Sequence, residues 1–202
     1  MAVSDVQIAK LALQHLGDRF AIESLTEAST EAEQINLVYE NVRDSLLREH
    51  PWKFALRYTS PAALSGTPPA QWGYMYTYPS GALRVWRIIN PLDPRGNLLP
   101  PLKWTIGRNA SNAKVILTDE EEPEFEYTAQ VTDATEFDAN FVMAFSWRLA
   151  ETVARPLTMD ENITERVRRE SIIQIGQAKQ NDSNEGVTEE QNRDPDWLRS
   201  RL

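Results

Sequence analysis

Between positions 137 and 153 a large apolar residue recurs at every fourth place, as Phe137, Phe141, Phe145, Leu149 and Val153. Four-residue steps drift slowly around a helix of 3.6 residues per turn, so the apolar stripe is broad, and a stripe that broad must face other helices. Three further segments supply them. Ser4 can cap a helix over 5–16 in which Val6, Ala9, Leu13 and Leu16 recur at spacings of three and four, with Gly17 as a natural stop. Thr30 followed by Glu33 is a capping-box pattern opening a helix over 31–49, with Ile35, Tyr39, Val42 and Leu46 on one face and Pro51 forbidding continuation. The phenylalanine helix is expected to end at Pro156, and Asp160 then caps a last helix to about 178 through Ile163, Val167, Ser171 and Ile175. That last helix carries Arg166, Arg168 and Arg169 on its outer faces.

From Pro51 to about Tyr127 the pattern changes, with most of the prolines and glycines, many aromatics and short β-type runs. Strands are expected over 55–59, 83–89, 103–107, 114–118 and 124–129, and the turn-forming run Gly107 to Asn112 separates two of them as in a hairpin. The expected fold is therefore mainly α. It is a four-helix bundle built from 1–54 and 130–180, with a β-rich insertion over 55–129 between helices two and three and an extended, flexible C-terminal arm over 181–202.

A chain of 202 residues buries roughly 70% of its unfolded surface and can hold a core unaided. It has no cysteine, which removes disulfides, thiolate metal sites and cysteine nucleophiles, and fits a reducing cytoplasm. The sequons at Asn109 and Asn162 carry no meaning in that setting. The first residues show no charged leader before a long apolar run, and no stretch approaches the roughly 20 apolar residues of a membrane span, so a soluble, unprocessed protein is expected. A formal charge of −9 argues against gripping nucleic acid through neutralised phosphates, while leaving DNA free to slide past.

Signals for catalysis are sparse. The two histidines, His15 and His50, flank no recognisable nucleophile elbow, and no glycine loop suited to phosphate appears. The stretch Asp182 to Gly186 has its glycine one place early for a calcium loop and lacks the closing glutamate. The acidic run with Glu120, Glu122 and Glu124 is the only place where a small metal-dependent hydrolase finds candidate ligands or acid/base groups, but neighbouring carboxylates on an extended segment alternate faces. Charge that discourages edge-to-edge strand association is the plainer reading. Trp72, Tyr74, Tyr76, Tyr78 and Trp86 lack the basic stripe of a base-stacking platform, which favours core packing or a subunit contact. Arg166, Arg168 and Arg169 are diluted by Glu161, Glu165 and Glu170, which suits pairing with another protein better than a DNA-recognition helix. No catalytic group, cofactor or metal is expected.

The segment after Ala178 is polar and acidic until Trp197 and Leu198, which Arg199 and Arg201 flank. One large anchor beside cations is what a docking peptide needs, and a tail that folds back or hangs free is the alternative. Several segments together resemble one known group. They are the helix ending in Leu16-Gly17, the Ile22 to Leu25 link, the Tyr39 to Arg43 segment and the Pro51-Trp52-Lys53-Phe54-Ala55 exit. Tyr78-Pro79 followed by Leu83, Arg84 and Val85, the phenylalanine-rich helix, and Asp194-Pro195-Asp196-Trp197-Leu198 complete the set. The chain thus resembles the tubular tail protein A family, the head-to-tail adaptors of short-tailed bacteriophages. The most specific element is Pro51 to Ala55, where Pro51 breaks the helix and Trp52 and Phe54 wedge a turn.

The resemblance implies a virion structural protein and not an enzyme, placed in the neck between head and tail. It implies a ring homo-oligomer, a dodecamer matching the portal protein, with helices side by side. The genome would pass through the bore without specific binding, and the lower face would receive the nozzle or tail tube protein. It further implies that the C-terminal residues Asp194, Pro195, Trp197, Leu198, Arg199 and Arg201 reach the portal, and that Arg166, Arg168 and Arg169 serve a subunit or portal interface.

Overall fold

A computed structural model describes residues 3–17, 20–94 and 99–186. Four α-helices and six strands follow the order α1 (Asp5–Leu16), α2 (Thr30–Glu49), β1 (Leu56–Thr59), β2 (Tyr74–Thr77), β3 (Ala82–Ile89), β4 (Trp104–Arg108), β5 (Lys114–Thr118), β6 (Glu124–Ala129), α3 (Ala139–Thr158) and α4 (Glu161–Asn184). A 3-10 turn, Lys53–Ala55, joins α2 to β1.

The helices form where the caps and stripes put them. Ser4 and Gln7 exchange both hydrogen bonds of a capping box at the start of α1, and the Gly17 N–H closes its end on the Leu13 and Gln14 carbonyls. In α2 the cap is Ser29, one place before the expected Thr30, with its hydroxyl accepting from the Ala32 N–H. The phenylalanine helix does not end at Pro156 but runs to Thr158. The hydrogen bond that proline forgoes is the one to the carbonyl of Thr152, an exposed residue, and Met159 in the left-handed region then stops the helix.

α3 buries Phe141, Val142, Ala144, Phe145, Leu149, Ala150, Val153 and Ala154. With apolar residues on nearly every side it is the central helix, against which α1, α2 and α4 each pack. α4 buries the row Val167, Ser171, Ile175, Ala178 and Asp182, and the last two carry the helix past 180 to Asn184.

The strands form two antiparallel three-stranded sheets, in the orders β1-β6-β3 and β2-β5-β4. The sheets face each other through Tyr76 and Ile116 of one and Val85, Ile88 and Phe125 of the other. β4 and β5 form the expected hairpin, whose turn is closed by the Asn109 side chain accepting from the Ala113 N–H, with Asn112 at φ 62°. β2 has no counterpart among the expected strands. It pairs along its length with β5, Tyr74 opposite Thr118 and Thr77 opposite Val115.

The mainly α expectation is therefore corrected. Of the described residues 46% are helical and 20% lie in strands, the strands in two sheets, an α+β fold and not a four-helix bundle. Two physical reasons account for it. The sheets build a core of their own, separate from the helical one, so they form a second layer in their own right. The helices cluster around α3 instead of occupying four equivalent corners. The two parts join where α2 passes into β1 and β6 into α3, braced by Arg48 donating to the Leu83 carbonyl and Gln130 donating to Asp44.

Candidate functional site

Helices, sheet and the end of α4 converge on the segment His50 to Phe54. α2 ends at Glu49 because Pro51 excludes helical backbone from the residue before it, and His50 is accordingly extended. The chain then turns inward, so Trp52 is fully buried and its indole N–H donates to the Leu46 carbonyl at 2.9 Å, satisfying an orphan acceptor of the last helical turn. The Trp52 ring meets Phe141 edge-on at 5.1 Å between centroids, and Phe54 meets Phe137 and Phe141 at 5.9 and 5.0 Å. Pro51, Trp52 and Phe54 are thus the joint between helix layer and sheet layer.

α4 locks onto the same joint. Asp182, 3% exposed, lies with one carboxylate oxygen 2.9 Å from His50 Nε2 and accepts with the other from the Lys53 N–H at 3.0 Å. One turn earlier Lys179 pairs with Glu49 at 2.8 Å, and Arg148 of α3 reaches the same carboxylate at 3.1 Å. Helix α4 therefore ends fastened to α2 and to the exit turn. Asp182 escaped the sequence reading except as part of a rejected calcium loop.

The three arginines of α4 are not gathered into one site. Arg166 donates to the His15 carbonyl at 3.0 Å, near the C-terminal end of α1 where a cation complements the helix dipole. Arg168 meets Glu165 at 3.7 Å and Arg169 leans on the Glu165 carbonyl at 3.4 Å, both on the exposed side. Beyond them on the same helix Ile172 and Ile173 are 63% and 48% exposed. The docking residues Asp194, Pro195, Trp197, Leu198, Arg199 and Arg201 lie outside the described residues.

One arrangement looks catalytic until its protons are followed. His15 Nε2 lies 3.1 Å from Ser146 Oγ, a pairing across 131 residues that no sequence motif signals. Ser146 sits fully buried within α3 and donates its single proton to the Met143 carbonyl at 2.9 Å. His15 must then be the donor to the serine oxygen and cannot act as its base. The imidazole also stacks on Trp147 at 3.7 Å and 7°. Burial, with Arg166 adding to it, holds its pKa down at about 4. Because the unfolded chain takes up this proton near pH 6.5 and the folded one only near 4, stability is full above 6.5 and falls as pH drops through that window. Urea midpoints measured from pH 7 to pH 4 should decline in the wild type and decline less in His15→Gln. Parallel curves would remove His15 as the source.

Glu120, Glu122 and Glu124 do not converge. Among the described residues no group of three or more His, Asp or Glu side chains is placed to hold a metal ion. The aromatic cluster is divided between cores. Tyr76 is buried between the sheets with Tyr74 and Tyr78 beside it, Trp72 borders a third small cluster, and Trp86 donates to Thr128 at 2.7 Å. No helix among the described residues is long and apolar enough to cross a membrane. No family model and no curated protein matches this chain.

Proposed function

We propose that this protein is a head-to-tail adaptor of a tailed bacteriophage, a ring subunit that joins the portal protein to the tail nozzle or tail tube and surrounds the path of the exiting genome. The observation that carries the reading is the role of Pro51 to Ala55. The segment of most specific resemblance is also the joint at which helix layer, sheet layer and the end of α4 are fastened together. A subunit that transmits load between capsid and tail needs its layers to move as one body, and aromatic packing with a buried carboxylate clamp supplies that.

Two further features support it. α4 presents exposed isoleucines beside exposed arginines, a surface suited to protein contact. Its last turn is fastened through Asp182 to His50 and Lys53, shortly before the sequence that continues to Trp197 and Leu198. On this reading the tail docks in the portal, with Trp197 as the buried anchor and Arg199 and Arg201 at its rim.

The experiment is a binding measurement against the portal protein of the same virus, with electron microscopy of the mixture. Deleting everything after Asn192, or changing Trp197 to Ala, should abolish portal binding while the thermal unfolding of the monomer stays as in the wild type. Undiminished binding by both variants would overturn the role given to the tail, and absence of any ring on the portal with the intact chain would overturn the adaptor reading.

A further inference from the structure

α2 and α4 each bury one side against α3 and turn the other to solvent, and their outer sides are unlike in a matching way. The outer side of α2 carries Leu37, 70% exposed, between the exposed carboxylates Glu33 and Glu40. The outer side of α4 carries Ile172 and Ile173 with Arg168 and Arg169 before them. On a helix rising about 1.5 Å per residue, both faces place charge about 4–6 Å along the axis from the apolar centre. One is an apolar knob between two carboxylates, and the other an apolar patch with a basic edge on its N-terminal side, where both arginines also touch Glu165.

Gly176 adds an independent sign. It lies inside α4 with nothing within 4 Å of where a Cβ would stand, so no packing among the described residues requires glycine there. Glycine within a helix is about 1 kcal/mol worse than alanine. Its use on an exposed face one turn beyond Ile172 makes sense where a second helix backbone approaches closely.

We infer that the occupant of the α4 face is the α2 face of another copy of this chain, with Leu37 set against Ile172, Ile173 and Gly176, and one of the two carboxylates that flank Leu37 against Arg168 and Arg169. The two surfaces belong to different parts of one molecule, so the contact is head-to-tail, and repetition closes a ring when the rotation permits. Closure rests on the adaptor reading; the pairing of the two faces does not.

The absence of cysteine makes the test direct. Leu37→Cys protein and Ile173→Cys protein are prepared separately and oxidised, alone and together, with and without portal. A disulfide-linked dimer should form in the mixture and not in either variant alone, because the contact brings position 37 to position 173. Links within either single variant, or none in the mixture with portal present, overturn the inference. As a second measurement, Gly176→Leu should keep or raise the melting temperature yet weaken self-association by at least about tenfold, since the added side chain fills the approach and not the fold. Rings that form unchanged with Gly176→Leu refute these faces while leaving the adaptor reading intact. Disulfide-linked dimers in the mixture, with no rings on the portal by electron microscopy, support the faces and refute the adaptor.

Discussion

Trp52→Ala is expected to lower the free energy of unfolding by about 4 kcal/mol and the thermal midpoint by roughly 8–16 °C for a chain of this length. The side chain is wholly buried, so truncation leaves a cavity that cannot collapse easily between α2, α3 and the exit turn. It also strands the Leu46 carbonyl, whose hydrogen bond at 2.9 Å comes from the indole. Trp52→Phe separates the two effects, because it retains an aromatic edge toward Phe141 and loses only the donor and part of the volume. That variant should fall about 1–2 kcal/mol below the wild type. Melts followed by circular dichroism, with urea titrations as a second probe, read both. A shift of the Ala variant smaller than that of Phe would show that the joint is not where the layers are held.

Much of this joint could be read from the chain, since a proline after a helix followed by two aromatics is a local signal. The helices were legible for the same reason: caps and apolar stripes act within a few residues of one another. What stayed hidden depends on distant partners. β2 reads Tyr-Met-Tyr-Thr, strand-favouring residues in a run of only four between turn-rich segments, and its ladder is supplied by β5, some forty residues on. Its omission left the second sheet one strand short, β4 and β5 without the third that completes it. Pro156 misled in the other direction, since a proline within the last turn on the exposed side of a helix removes little. The His15 and Ser146 contact and the His50 and Asp182 contact each span more than a hundred residues and leave no mark on local pattern. For the proposed interface the residues were visible as exposed-type charges, but that the α4 arginines flank two exposed isoleucines emerges only once burial is known.

Asp182→Ala is expected to lower stability by about 2–4 kcal/mol and, more tellingly, to loosen one place. The carboxylate is buried, and its removal leaves the His50 ring N–H and the Lys53 backbone N–H without their acceptor. Losing a partner from a buried site is more damaging than never having had one, because the remaining donors stay desolvated. Asp182→Asn keeps an oxygen for the Lys53 N–H but must turn its amide against His50, so it should lie between the wild type and the Ala variant. The last turns of α4 are then held by Ala178, by Lys179 with Glu49 and by Asn181 donating to Asn140, one buried methyl group and two exposed or partly exposed polar contacts. Amide hydrogen exchange should accordingly speed up most over 179–184, with little change in α1, at a denaturant concentration well below the transition. If the end of α4 aims the tail, portal affinity should drop with the same variant, since a tail leaving from a frayed helix loses the effective concentration that a fixed exit provides. Exchange that rises uniformly across all four helices would instead mean that Asp182 supports the whole core and not the exit of the chain.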